Sequence, residues 1–229
     1  RQQPPKIRKI SSTIVLKLII IQMKKIAWIT FGSLSILVGL YPIIYFLVDR
    51  RFGLLSSKTL ELLSDSLWNI AFYGHIILGG IALLVGWVQF SPKLRRNRMS
   101  LHRNIGKLYI LSVLISAVCG VYIAQFATGG ISNVIGFSLS GVVWFTTTFL
   151  AYTSVRKGQI TKHQNFMIYS YAVCFSAVTL RIWLPLLTAL TDDFIIAYRI
   201  VGWLSWVPNL IVAYYFIKRN SVHNLPSRN

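Results

Sequence analysis

The chain alternates long runs of uncharged, mostly apolar residues with short polar links. Six such runs fall at about 26–48, 67–90, 105–127, 132–153, 164–187 and 194–217. Each reaches 20 residues or more, enough for a helix to cross ~30 Å of hydrocarbon at ~1.5 Å per residue. The pattern predicts an all-α integral membrane bundle of six transmembrane helices. Pro42 and Pro208 are expected to kink the first and sixth spans. No pair of broken helices of the kind that transporters build their sites from is legible.

Polar and small residues recur inside these runs at helical spacing. In the second span His75, Gly79, Ala82, Gly86 and Gln89 form one stripe. In the third, Ser112, Ser116, Gly120 and Ala124 recur every fourth residue, a ladder that lets a neighbouring helix approach closely. In the fifth, His163, Met167, Ser170, Cys174, Ala177 and Arg181 share a line, and bulky apolar residues fill most of the rest. In lipid, such stripes face the bundle interior.

Charge sorts the links. Of 24 Lys and Arg residues, 19 fall in the termini and in the stretches around 91–107 and 156–163. The five acids, Asp49, Glu61, Asp65, Asp192 and Asp193, fall in the alternate links. A one-sided Lys/Arg excess orients a membrane protein with its basic side in the cytoplasm. The expectation is a multi-pass protein of the bacterial inner membrane with both termini cytoplasmic. The net charge of +19 therefore reads as topology, not as nucleic-acid binding, because no basic soluble domain is present to carry it. The link from Asp49 to about Ser66 is the longest external one, and its "LSSKTLELLSDSLWN" is expected to lie as an amphipathic helix at the interface. "MKKIAWITF" from Met23 looks like a chain start. Residues 1–22 are accordingly expected to be upstream or poorly ordered sequence, 23–219 a single transmembrane domain, and 220–229 a cytoplasmic tail.

Two sets of side chains can meet at matched depth. His75 and Arg181 each lie about seven residues, ~10 Å, from the expected outer ends of their spans. They are expected to line an outward-opening pocket for a small anion, a quinone or a lipid headgroup, with Asn69, Tyr73, Trp183 and Arg199 beside them. An ionisable group well inside a span is costly and defaults to a functional reading. The second set is His102 and His163, just before the third and fifth spans. Two histidines from different helices can hold a b-type haem axially, with Arg103 and Lys107 toward its propionates. The alternative for this pair is an interfacial role, capping helix ends. Cys119 and Cys174 both fall inside spans and read as small apolar fillers. The histidines are split by depth, so the clustered ligands of a zinc site are not expected.

"HIILGGIALLVGWVQF", "RMSLHRNIGKLYI" and "HQNFMIYSYAVCFSAVTLRI" occur in this order over roughly residues 67–187. They resemble a group of bacterial multi-spanning proteins known as domain of unknown function 2306. That resemblance implies an integral membrane protein and no particular activity. The histidine layout is also similar to that of cytochrome b561-type bundles, in which four successive helices hold two haems. Here the fourth span has no histidine and His223 lies in the tail, so at most one bis-histidine haem is expected. Three functions follow as expectations: haem or quinone redox chemistry at His102 and His163, transport or sensing of a small anion at His75 and Arg181, or an accessory membrane subunit.

Overall fold

The computed structural model describes residues 12–48 and 53–223. Asp49, residues 1–11 and residues 224–229 lie outside them. The described residues contain no strand. Six helical segments are long and apolar enough to cross a membrane: Ile19–Leu47, Ser66–Phe90, Met99–Ala124, Ile131–Arg156, Ile160–Thr191 and Phe194–Arg219. They form the all-α, six-span membrane bundle that the hydrophobic runs predict. The segment from residue 12 to residue 22 is helical and continuous with the first span.

Three of the six spans are interrupted, and a fourth closes in a 3-10 turn. Helix α1 (Ser12–Leu40) passes through a 3-10 turn, Tyr41–Ile43, into α2 (Ile44–Leu47). Pro42 sits at the start of that turn, where its missing N–H costs least. The second span is α4 (Ser66–Gly86), closing in a 3-10 turn at Trp87–Phe90. The third is α6 (Met99–Ala124) and the fourth α7 (Ile131–Arg156), both unbroken. The fifth divides at Phe175 into α8 (Ile160–Cys174) and α9 (Ser176–Thr191). The sixth divides into α10 (Phe194–Leu204) and α11 (Val207–His223). Phe175 and Ser205 both keep right-handed helical backbone angles, so these interruptions are local kinks within continuous spans and not the unwound helix pairs of transporters. The break in the sixth span lies just before Pro208, but no proline marks the one at Phe175.

The links explain several polar residues. Helix α3 (Leu60–Ser64) is capped by Thr59, whose Oγ1 accepts from the Leu62 N–H. Asp65 caps α4 by accepting from the Trp68 N–H at 2.6 Å, and Ser91 caps α5 (Pro92–Asn97). Asp193 caps α10 through the Ile195 and Ile196 N–H groups. Carboxylates at helix N-termini satisfy orphan donors and favour the helix dipole. Asp65 and Asp193 are accounted for in this way. The four described acids share one end of the bundle, here the acidic end. The α5 link and the α7–α8 turn share the other, basic end.

The long link between the first two spans departs from its expected form. It makes a 3-10 turn at Gly53–Ser57 and the one-turn α3, with bends at Thr59 and Asp65, not one amphipathic helix. The reason is burial: Leu55 and Leu63 pack under the link against Trp68 and Phe72 at 2% and 6% exposure.

Close approach sets the crossings. The first and second spans meet at Gly39 and Gly80, where a Cβ on Gly80 would lie 2.6 Å from the Gly39 carbonyl oxygen. Spans two and three pack through small residues: Ser112, Ser116 and Ala124 are buried, and a Cβ on Gly120 would strike the His75 ring at 2.8 Å. This is the small-residue packing expected where lipid replaces water as solvent.

A buried polar network ties the centre together. Tyr109 and Ser170 share a hydrogen bond of 2.8 Å, and Ser170 and Thr148 one of 2.6 Å, joining spans three, five and four. The Tyr171 hydroxyl donates toward Ser35 Oγ and the Leu83 carbonyl, both at 3.0 Å, joining span five to spans one and two. Around them pack Phe31, Phe90 and Phe175. An unpaired hydroxyl here would cost far more than its bond contributes.

Candidate functional site

A cavity of about 270 Å³ lies at the centre of the bundle and takes residues from all six spans. Its wall is mainly apolar, with Phe72, Leu83, Phe137 and Trp144 among the lining side chains. Two basic residues from within the spans line it, His75 and Arg181. Lys58, from the long link, lines it too, and no described carboxylate does. A mainly apolar cavity with a few convergent polar groups is the usual form of a small-molecule site, at the small end of a range of roughly 300–1,000 Å³.

Arg181 is positioned by its own helix and by the kink in span one. Its Nη1 donates to the Ala177 carbonyl, one turn earlier, at 2.8 Å. The guanidinium carbon lies 4.2 Å from the ring centroid of Tyr41, a cation–π arrangement. Tyr41 stands in the 3-10 turn beside Pro42, so the proline kink presents the ring. Nε of Arg181 is buried and has no hydrogen-bond partner among the described residues. Helix α9 continues to Thr191. Arg181 is therefore ten residues, ~15 Å, from its end, deeper than its expected span boundary implies.

His75 is held by the small-residue ladder of α6. Its Nδ1 lies 2.9 Å from the Ser116 carbonyl oxygen. A carbonyl only accepts, so Nδ1 carries the proton. Ser116 Oγ in turn donates to the His75 carbonyl at 2.9 Å. The ring sits over Gly120, where no side chain competes. No hydrogen bond reaches Nε2 among the described residues.

The remaining residues of the expected outer set stand elsewhere. Asn69 Nδ2 donates to the Leu63 and Asp65 carbonyls at the start of α4. Tyr73 packs on Phe46 and Phe72, and half-buried Trp183 is not among the cavity residues. Exposed Arg199 donates from Nε to the Gly129 carbonyl at 2.7 Å, fastening the α6–α7 turn. That turn uses Gly129 and Gly130 at φ of 99° and 84°, which only glycine adopts without strain.

Sequence reasoning did not single out Tyr41, Trp144 or Lys58 for this site. Lys58 is half-buried and donates to the Phe126 carbonyl and, at 3.0 Å, to Thr128 Oγ1. Ser57 Oγ also pairs with Thr128 Oγ1 at 3.0 Å. The long link is thus latched to the α6–α7 turn over the cavity. Burial lowers the Lys58 pKa from the ordinary lysine value. The one available sequence signal was a single lysine in the otherwise uncharged stretch 52–60 of the long link.

The cavity is lined on its floor by both mid-span interruptions. Cys174 and Ser176 flank the first, and Ser205 lies in the second. The breaks are bonded to each other. Thr179 Oγ1 donates to the Ser205 carbonyl. Asn209 Nδ2 reaches the Ala172 carbonyl at 3.2 Å and the Ser205 carbonyl at 3.0 Å.

At the basic end, His163 Nδ1 donates to the Ala151 carbonyl at 2.9 Å, joining α8 to α7. His102 is half-buried, and its Nδ1 is enclosed without a partner among the described residues. Gln89, 6% exposed, has both amide atoms enclosed and without a hydrogen-bond partner among the described residues. Its Oε1 lies 3.8 Å from a Cβ built on Gly106, one turn along α6 from His102. Arg103 and Lys107 are exposed. No group of three or more His, Cys, Asp or Glu residues able to hold a metal ion occurs among the described residues. The central cavity takes in neither His102 nor His163.

No curated protein and no solved structure matches the chain. Residues 72–217 match the family described as "Predicted membrane protein (DUF2306)", a stretch that holds His75, Arg181, both mid-span breaks and the histidines of the basic end. With most of its length covered by that match and six apolar spans in its fold, the chain belongs to the DUF2306 family of membrane proteins.

Proposed function

We propose that this protein binds a small anionic molecule in its central cavity and acts as a transporter or ligand sensor for it. The observation that carries this reading is Arg181. A guanidinium lies within a mainly apolar cavity, with an enclosed Nε and, among the described residues, no partner on that atom and no carboxylate lining the same space. Burying a cation in this way is costly. A negatively charged ligand would offset that cost when bound. The basic links support an orientation with the basic end in the cytoplasm of a bacterial inner membrane. In that orientation the latched side of the cavity faces outward. The test is equilibrium binding of small anions to the detergent-purified protein, followed by uptake into proteoliposomes. Loss of all anion binding in the intact, folded protein would remove the reading.

A second reading is a b-type haem or a quinone at the basic end, between His102 and His163. It is favoured by the unpartnered buried atoms of His102 and Gln89, beside an imidazole that the Ala151 carbonyl orients. Arg103 and Lys107 stand on the same helix as His102 and would take haem propionates. A haem there would supply one-electron transfer. An absorption spectrum of the purified protein tests it. A Soret band lost in His102→Ala and His163→Ala supports the haem, and colourless, fully folded protein removes it.

A further inference from the structure

We infer that the ligand of the central cavity carries a carboxylate on a compact apolar body, a class narrower than small anions in general. The inference rests on the anion-binding reading above and sharpens it. Its basis is which guanidinium atoms are already used. Nη1, on the Cδ side of the group, is committed to the Ala177 carbonyl. Nε–H and the Nη2 hydrogen beside it point away together from that bond. Nε is enclosed and unpartnered, and no hydrogen bond reaches Nη2 among the described residues. Two parallel N–H groups in one plane match the two oxygens of a carboxylate, held side-on.

The rest of the cavity agrees with that head group. The Tyr41 ring at 4.2 Å covers one face of the guanidinium, so acceptors approach in its plane. His75 presents a lone pair at Nε2, because its proton is held at Nδ1 by Ser116. That lone pair suits a ligand hydroxyl and offers a tetrahedral dianion nothing. Phosphate or phosphonate would bring three acceptor oxygens to a wall with one fork. The volume of about 270 Å³ and the aromatic wall of Phe72, Phe137 and Trp144 leave room for a ring or a short chain. They do not suit a hydrated inorganic ion.

The experiment compares four probes on the detergent-purified wild-type chain by calorimetric titration: benzoate, octanoate, phenylphosphonate and inorganic phosphate. The inference expects benzoate or octanoate to bind more tightly than either phosphorus anion. Which of the two carboxylates leads distinguishes an aromatic acid from a fatty acid. Arg181→Lys keeps the charge and loses the fork. It is expected to weaken carboxylate binding about ten- to a hundredfold. Should that variant not fold, the ranking of probes on the wild type still decides. Phenylphosphonate or phosphate binding as tightly as the carboxylates would overturn the carboxylate class and leave the anion reading standing. Binding of none of the four would overturn both.

Discussion

Asn209 Nδ2 donates to Thr179 Oγ1 at 3.2 Å, so the side chain that repairs one mid-membrane break is bonded to the side chain that repairs the other. Asn209 also reaches the Ala172 carbonyl near the end of α8, one of the acceptors a helix end leaves over. In hydrocarbon no water is present to take that role. Asn209→Leu should therefore lower stability by about 1 kcal/mol, a size typical of hydrogen bonds between membrane helices. Thermal unfolding in detergent measures it. Adding Thr179→Ala to Asn209→Leu should cost less than Thr179→Ala alone, because the two residues act as one unit. Strict additivity would mean that the breaks are independent.

Arg181 makes the opposite prediction. Among the described residues no carboxylate lines the cavity beside it, so its removal breaks no ion pair with any of them. Arg181→Met should leave stability unchanged or raise it by about 1 kcal/mol, as expected when a costly polar group at a functional site is replaced by an apolar one. The same variant should lose anion binding. A drop in melting temperature together with retained binding would show a structural arginine instead.

Lys58 and Cys174 report on the latch. Lys58 holds the long link to Phe126 and Thr128, and the Cys174 thiol lies 5% exposed in the cavity below. In a Cys119→Ala background, Lys58→Met should speed modification of Cys174 by a small water-soluble thiol reagent. An unchanged rate would place the entrance elsewhere.

The same lysine gives a pH dependence. Its pKa in the folded protein is lowered from 10.5 by burial, largely for want of water around the ammonium. Between the lowered value and 10.5, the unfolded chain binds the proton that the folded one has lost. Stability therefore rises with pH across that window. Melting temperatures measured upward from neutral pH should show this rise in the wild type and a smaller one in Lys58→Met.

Gly86 tests the polar core. A Cβ there would meet the Tyr171 ring at 2.4 Å and the Tyr109 ring at 2.8 Å. Neither ring is free to swing, since Tyr171 is bonded to Ser35 and Leu83 and Tyr109 to Ser170. Gly86→Ala should destabilise by roughly 1–3 kcal/mol, the usual cost of overpacking. Gly158→Ala meets nothing within 4 Å and should cost only the strain of its φ of 72°. Thermal unfolding of the two variants side by side gives the comparison.

The bundle itself was legible in the chain because lipid imposes a simple rule. Each crossing must satisfy its own backbone, so length and hydropathy mark the spans. Polar stripes mark the faces that avoid lipid, as Ser116, Ser170 and Gly86 illustrate. Position along a span also brought His75 and Arg181 to one depth. Tyr41 was not legible as the partner of Arg181: the Pro42 kink is visible in the chain, but that it carries the ring onto a guanidinium of the fifth span depends on how the two spans pack. Nor was the break at Phe175, which no proline marks and which stands by virtue of Asn209 from another helix.

From its amino acids alone the protein is a six-helix membrane bundle with one basic end, one acidic end and ionisable groups turned inward. Hydrophobic transfer into lipid acts residue by residue, and for that reason it can be read in one dimension. The cavity, the unpartnered Nε of Arg181, the latch at Lys58 and the bonded kinks of spans five and six arose only in three dimensions. Each depends on side chains from separate helices meeting within hydrogen-bonding distance, and no periodicity along a single helix records that.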